Sequence, residues 1–321
     1  MKSIFCIGHT TYDTFLKLSN ADLHCNKDET SCKISFEFGS KVPIDEIHYG
    51  VGGSAANVAV GTSKLGLKVD IFTMVGNDMR GMEILNVLKK NLIGLFYFKT
   101  DAYPTNQSSV LSYLNDRTIF SYHQARKYSL KNVNIFHDYI FIGSIGDDVS
   151  ELYEELVLIK KLNPEKKIFY NPGGRELKNS RAAVLKLLEY TDYLIVNFEE
   201  ACSILDPTLS RQHLSFEDLA KLLLARGPKV IVITDAEKGV QSYDGERFSF
   251  VPSKKVPVVE KTGAGDAFTS GFIGAIAQGH DLKTAMEWGV DNSAHVIQSF
   301  GAQNGLLTLE EIQSKNNSVK N

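Results

Sequence analysis

Short, nearly unbroken apolar runs alternate along this chain with longer segments whose apolar residues fall at helical spacing. "SIFCIG" (Ser3 to Gly8), "KVDIFTMVG", "YIFIGS", "KKIFYNPG", "YLIVN" and "KVIVIT" are runs of the first kind. A strand that is apolar on both of its alternating faces must be covered on both, which is the situation of a strand in a parallel sheet. The segments between them are helical in pattern: "AANVAVGTSKLG", "RGMEILNVLKKNLIG", "SELYEELVLIKKL", "SRAAVLKLLEY" and "FEDLAKLLLARG". Gly66 ends the first of these where a helix C-terminus favours glycine. Strands joined by crossover helices make a parallel sheet, so the rhythm predicts an α/β fold.

The rhythm breaks twice. Thr30 to Gly50 and the aromatic, β-branched stretch from Leu95 to Tyr128 read as strands without helices, the second with a turn at "LNDR". Two β-rich insertions, about 11–50 and 95–128, predict a small sheet standing off the main body as a lid on one domain spanning 1–321. The tail carries two more helical patterns, "GDAFTSGFIGAIAQG" and "LKTAMEWGVDNSAHVIQSFG", and "SKNNSVKN" at the end is expected to fray.

With 43% hydrophobic residues in 321, the chain can bury a large core without staples. The net charge of −3 lacks the basic surplus of a nucleic-acid binder. No apolar run reaches the roughly 20 residues of a membrane span, and "MKSIFCIGHTTYD" turns polar too early for a signal peptide. These features predict a cytoplasmic protein. The four cysteines form no CxxC pair, which argues against zinc. Cys6 and Cys202 sit in apolar runs and read as buried; for Cys25 and Cys32, the cytoplasmic compartment favours free thiols over a bridge.

The stretch "VVEKTGAGDAF" (Val258 to Phe268) places Gly263, Ala264 and Gly265 directly before Asp266, at the mouth of a helical run. Small residues let a backbone approach a ligand closely, and a helix start presents unpaired N–H groups that favour an anion. A carboxylate beside a bound phosphate can take a proton from an attacking hydroxyl. By itself the stretch is equally a Gly-rich turn with Asp266 in a first helical turn. In "GVGGSAANVAVGTSKLG", Gly52 and Gly53 suit close backbone approach and Asn57 offers an amide to hydroxyls. A tight turn into a helix, with Asn57 bonding locally, is the plain alternative. Neither stretch is GxGxxG or GxxxxGK[ST], so nicotinamide-type and Walker-type sites lack their residues.

Together, "GGSAANVAVGTSKLG" and "TGAGDAFTSGF" resemble the two signatures of the ribokinase/phosphofructokinase-B family of carbohydrate and nucleoside kinases. "VGNDMRG", "NFEEA" and "VIVITDAEKGV" resemble further family segments in the same order, so the resemblance covers the whole chain. It implies a ribokinase-like three-layer sandwich with a mainly parallel sheet and a small β-sheet lid. It implies ATP-dependent phosphorylation of a sugar-like hydroxyl, with Mg2+, and dimerisation through the lid. Asp266 is then the general base and Gly263, Ala264 and Gly265 the anion hole. Asp13, Gly52, Gly53 and Asn57 contact the substrate. Asn197, Thr234, Gly239 and Asn292 contact the nucleotide, and Glu200 holds magnesium through water. Without the resemblance, Asp13 is a loop acid, Glu200 a first-turn acid and Asn292 a polar helix-face residue.

Departures from the family pattern carry their own expectations. "TDA" replaces the usual Thr-Leu-Gly, so Asp235 should turn away from a triphosphate. Glu260-Lys261 stands where many members have the Asp-Thr that helps hold a monovalent cation; the charge of Lys261 close by implies weak dependence on K+, and the alternative is that Lys261 is solvated and Glu260 binds the ion as Asp would. Arg175, in "NPGGREL", resembles an arginine of fructokinase-like members that steadies a phosphate or an acidic substrate; a surface arginine is the alternative. Arg117 and Arg126 lie in the lid-like region, where a solvated charge is favoured over contact with the substrate, and His295 reads as structural. The resemblance favours a small sugar or sugar derivative as acceptor, with a nucleoside as the alternative; a catalytically inactive sugar- or nucleotide-binding protein is the reading from a different class.

Overall fold

The apolar runs form strands where a continuous row of branched and aromatic side chains can be covered from both sides. In the computed structural model, residues 1–26, 32–114, 116–131, 133–211 and 214–318 are described. The chain opens with β1 (Ser3–Ile7), then four strands with no helix between them among the described residues: β2 (Thr11–Lys17), β3 (Asp22–Cys25), β4 (Cys32–Ser35) and β5 (Glu46–Gly52). The alternation resumes with α1 (Ser54–Lys64), β6 (Lys68–Gly76) and α2 (Met79–Lys90), and breaks again at β7 (Phe98–Asp101), β8 (Gln107–Tyr113) and β9 (Asp116–Tyr122). It is regular through β10 (Tyr139–Ile142), α3 (Ser150–Leu162), β11 (Lys167–Tyr170), α4 (Gly174–Asn179), α5 (Arg181–Leu188), β12 (Tyr193–Asn197), α6 (Phe198–Leu205), α7 (Phe216–Leu224) and β13 (Val230–Thr234). The hairpin β14 (Val240–Tyr243) and β15 (Phe248–Val251) precedes α8 (Ala264–Ala277), α9 (Leu282–Val296) and α10 (Leu309–Ser318).

One sheet has the order β15-β14-β13-β12-β11-β10-β1-β6-β7. All its pairings are parallel except those of β14, which is antiparallel to both neighbours. β1 shows why the runs had to be apolar throughout. Ile4 and Cys6 pack on one face with Val58, Phe272 and Trp288, while Phe5 and Ile7 pack on the other with Leu152, Leu156 and Leu187. The helices thus form two outer layers around the sheet. β1 lies between β10 and β6, and the connections to these neighbours diverge to either side; in open α/β sheets the crevice at such a point is where ligands bind.

A second sheet, β5-β2-β8-β9, and the hairpin β3-β4 stand apart from the first. This is the lid sheet, with its boundary shifted: Phe98–Asp101 pairs with Thr73–Gly76 in the main sheet, so the second lid segment begins at β8 rather than at residue 95. Composition marks such a stretch as strand but does not say which edge it joins. Two further expectations are corrected. Cys25 and Cys32 are disulfide-bonded, because the β3-β4 hairpin sets them directly opposite with Cα atoms 4.0 Å apart. α10 continues to Ser318 where fraying was expected, while 319–321 lie outside the described residues, as does Asn115 in the β8-β9 turn. Cys6 and Cys202 are free and buried as expected. Among the described residues no helix is long and apolar enough to cross a membrane.

Arg126 is also not a solvated lid charge. Its side chain is 2% exposed and forks onto Asp101, with Nε 2.7 Å from Oδ2 and Nη2 3.0 Å from Oδ1. The remaining donors reach Asn106 Oδ1 at 3.0 Å and the Pro104 carbonyl at 2.9 Å. This one guanidinium pins the passage from β7 in the main sheet to β8 in the lid. Removing it strands Asp101 and several acceptors. We expect Arg126→Ala to lose about 3 kcal/mol of stability in urea unfolding, the scale for breaking a buried pair; a loss under about 1 kcal/mol would mean that the network does not hold the junction.

Candidate active site

The anion loop depends on Gly263. Its φ of +81° lies in the left-handed region, and a Cβ there would run into Ala302. The turn delivers Ala264 as the first residue of α8, so the amides of its first turn face outward from the helix start. One of these, Ala264 N–H, points back to the Lys261 carbonyl at 3.3 Å, which leaves those of Gly265 and Asp266 as the helix donors best placed for an anion. Asp266 is half-buried in this first turn. Asn57 Nδ2, from α1, donates to its Oδ2 at 2.8 Å, and Asn57 Oδ1 in turn accepts from Gln303 Nε2 at 3.1 Å. Burial pushes the Asp266 carboxyl up to about 6; the Asn57 bond opposes this and the charge of Asp13 adds to it.

Asp13 reaches the same place from β2 and is buried, with its Oδ1 lacking any hydrogen-bond partner. Burial raises it also to about 6, against hydrogen bonds from Thr11 and Ser108. Gly52 is glycine because a Cβ would collide with the Asp13 carboxylate. Gly53, at φ +86°, passes the His9 carbonyl too closely for any side chain. The glycine pair therefore seats Asp13 and starts α1, which carries Asn57 to Asp266.

A cleft of about 770 Å³ extends from Asp266 along the C-terminal ends of β12 and β13, lined among others by Asn197, Glu200, Thr234, Gly239 and the anion loop. Asn197 and Glu200 form a capping box on α6: Asn197 Oδ1 accepts from Glu200 N–H at 2.8 Å, and Glu200 Oε2 from Asn197 N–H at 3.0 Å. Asn171, at the end of β11, adds a weaker bond to the same Oε2 at 3.4 Å. Burial raises the Glu200 carboxyl, with the Asp266 and Glu199 charges adding and those bonds opposing. A nearby cation would relieve that cost. The described residues contain no group of three or more His, Cys, Asp or Glu that could hold a metal by themselves. Asp235 is absent from the cleft wall, paired instead with Arg211 at 2.5 Å from each of its oxygens.

Asn292 and Arg117 depart from expectation, while Arg175 and His295 take the surface and structural readings given for them. Asn292 does not reach the cleft. The α9 period places it on the inward stripe with Trp288 and Val296, fully buried. There it donates to the Ala267 carbonyl at 2.9 Å and accepts from Leu307 N–H at 2.9 Å. Its neighbours Ser293 and Ala294 line the cleft instead. Arg117 turns inward, its Nε 3.7 Å from Glu260 Oε1. Arg175 stays on the surface, 3.4 Å from Asp147. His295 is structural, donating to the Gly305 carbonyl at 2.6 Å. Asn171, Gln303, Lys254 and Lys255 join the site without having been singled out. Asn171 carried a signal, a polar residue at the end of a parallel strand, and the lysines another, a basic pair after β15; Gln303 carried none.

Residues 1–309 match the family described as "pfkB family carbohydrate kinase". The nucleoside kinase of Methanocaldococcus jannaschii is 26% identical over 97% of this chain and 96% of its own. Its crystal structure superposes with a TM-score of 0.77 at 21% identity, covering 99% of each chain. The ribokinase of Bacillus subtilis is 26% identical over 98% of this chain and 99% of its own. The structure of Arabidopsis thaliana ribokinase complexed with ribose and ATP gives a TM-score of 0.77 at 18% identity, covering 98% of each chain.

Two raised carboxylates have a cost that stability can report. Asp266 titrates above its ordinary 3.8, so folding takes up a proton: its protonation favours the fold below about pH 4, and that contribution is lost as pH rises through about 6. Asp266→Asn removes the penalty. We expect the variant to be more stable than the wild type at pH 8, by up to about 3 kcal/mol, with the margin shrinking as pH falls below 6. A margin that does not change with pH would show that Asp266 is not perturbed.

Proposed function

Because the chain belongs to the pfkB family of carbohydrate kinases, phosphotransferases that act on an alcohol acceptor, we propose that it transfers the γ-phosphoryl group of ATP to a hydroxyl of a small sugar or sugar derivative, with Asp266 as general base. The observation that carries this reading is Asp266 itself: a half-buried carboxylate in the first turn of α8, raised to about 6 and held by Asn57. Near neutral pH it is largely ionised, yet basic enough to accept a proton. As the acceptor hydroxyl attacks, its proton passes to Asp266. The new P–O bond forms on the acceptor oxygen, the bond to the β-phosphate bridging oxygen breaks, and ADP leaves. The amides at the start of α8 stabilise charge on the transferred group.

The acceptor lies between α1 and the lid. Asp13 Oδ1, buried and unpartnered, waits for a hydroxyl donor, and Ser108 and Ser121 stand in line with it across the inner face of the lid. Small polar side chains there favour a sugar. A nucleoside is the second reading, supported by the similarity to the M. jannaschii nucleoside kinase. ATP occupies the cleft along β12 and β13, with Thr234 and Gly239 beside it and Asn197 near its phosphates. Glu200 fits Mg2+ held through water: it lines the cleft, its carboxyl is raised by burial, and the capping box uses only Oε2. Bound there, the metal would supply charge neutralisation to the phosphates.

A monovalent cation fits poorly at Glu260. Both its oxygens already accept from Thr262, N–H and Oγ1 at 2.8 Å each, and the Arg117 guanidinium stands beside them. Lys261, in contrast, is exposed. We expect turnover in potassium and in a bulky tetraalkylammonium salt, at matched ionic strength, to differ by less than tenfold, about 1.4 kcal/mol. A larger rise with potassium would show that the site accepts the ion.

The reading as a whole is tested by measuring ADP release over ribose, fructose, their phosphates, keto-deoxy acids and nucleosides. At least one sugar should support turnover above the nucleosides. With it, Asp266→Asn should lower kcat by roughly 10²–10⁴ and leave nucleotide affinity little changed. A variant keeping more than half of the wild-type rate would remove Asp266 from the role of base.

A further inference from the structure

Among the described residues, the lid and the segment leading into the anion loop meet at one ion pair. Glu260 lies three residues before Gly263, and its side chain is only 2% exposed. Through Thr262 N–H and Oγ1 its carboxylate grips the residue directly ahead of the loop. Lys261, next in the chain, is exposed and is not within ion-pair distance of it. The cation facing Glu260 comes instead from the lid: Arg117, in β9, with Nε 3.7 Å from Oε1. Arg117 Nε is buried and has no hydrogen-bond partner. The 3.7 Å separation is too long for a hydrogen bond. An approach of about 1 Å would turn it into a charge-assisted one.

The surroundings leave room for that approach. Between Arg117, Leu18, Ser112, Val259, Glu260 and Phe300 lies a cavity of about 220 Å³. Ser112, opposite Arg117 in the lid, also has a buried hydroxyl without a partner. The polar groups on this part of the inner lid face are thus incompletely satisfied at the point where it touches the loop segment. Arg117 also lines the donor cleft, so the ion pair stands between the lid and the phosphate end of the site.

We propose that Arg117 is a positioning residue: lid closure over the acceptor brings its Nε onto Glu260 Oε1, and the closed pair, acting through Thr262, sets the Gly263 loop whose helix-start amides receive the transferred phosphoryl group. This rests on the kinase reading above and adds a coupling to it. An acceptor under the lid completes the anion site, and the open enzyme leaves it unset. Arg117 acts through Glu260 and does not touch the phosphates.

The test is a double-mutant cycle on the full chain, read by ADP release with an acceptor that the wild type turns over. Arg117→Ala and Glu260→Gln should each lower kcat about tenfold with KM for ATP unchanged within about threefold, and the double variant should be no worse than either single one. Arg117→Lys, which keeps the charge, should recover most of the rate. Losses that multiply to about a hundredfold in the double variant, or an Arg117→Ala effect confined to KM for ATP, would overturn the coupling; the second result would mean direct contact with the nucleotide. A wild type inactive on every acceptor would sink the kinase reading and the coupling with it, whereas an active wild type with multiplying losses sinks the coupling alone. With Mg-ADP and the acceptor bound together, residues 260–266 should exchange faster in Arg117→Ala than in the wild type, and equal exchange would overturn the coupling.

Discussion

A parallel sheet covered on both faces leaves its chain ends at two edges only, and the chemistry of this protein gathers at one of them. Asn171 follows β11, Asn197 ends β12 and Thr234 ends β13. None of these residues needs a special fold of its own; each is carried to the same edge by a strand whose apolar row had to be buried. The lid exists on the same terms. It leaves the sheet just after β1 and again after β7, so β2 and β8 can pair over the crevice and place Asp13 above it.

The edge is expensive. Asp13, Asp266 and Glu200 are pushed up mainly by burial, and Glu260 is buried near Asp13. Four acids close together repel one another and lose hydration. The structure offsets part of this with neutral donors: Asn57 on Asp266, Thr262 on Glu260, Asn171 and the Asn197 amide on Glu200. The remainder is left uncompensated where a hydroxyl, a metal or a lid arginine can supply what is missing. Local instability of this kind is the usual companion of a site that binds charge.

The rest of the molecule is conventional by comparison. α8 and α9 pack tightly because Gly271 approaches the Trp288 carbonyl and Gly289 approaches Phe268. Asn292 braces the same contact from inside. That packing holds the N-terminus of α8, and with it Asp266, in fixed relation to α1. The hydrogen bond from Asn57 to Asp266 spans 209 residues of sequence, and it is short only because both helices are anchored on the same face of the sheet.

The sequence by itself determined what depends on period and on backbone freedom. Runs such as Ser3–Ile7 and Val230–Thr234 could only be buried strands, and the stripe of Leu152, Leu156 and Val157 only a covered helix. Gly53 and Gly263 marked close backbone approach; that Asp266, Asn57, Asn197, Glu200 and Thr234 belong to one site was implied only by the family resemblance of the motifs that carry them. Elements without a strong period were harder to see: β14, β15, α4 and α10 are short or lie in polar stretches. Only the tertiary structure decided the partners. Whether Phe98–Asp101 joins the main sheet or the lid, whether Arg126 is solvated or locked on Asp101, which way Asn292 faces, and that Gln303 meets Asn57 all depend on contacts between distant segments. A side chain's local pattern reports whether it is buried; the group it meets there is set by how distant elements pack, and no short stretch of sequence contains both.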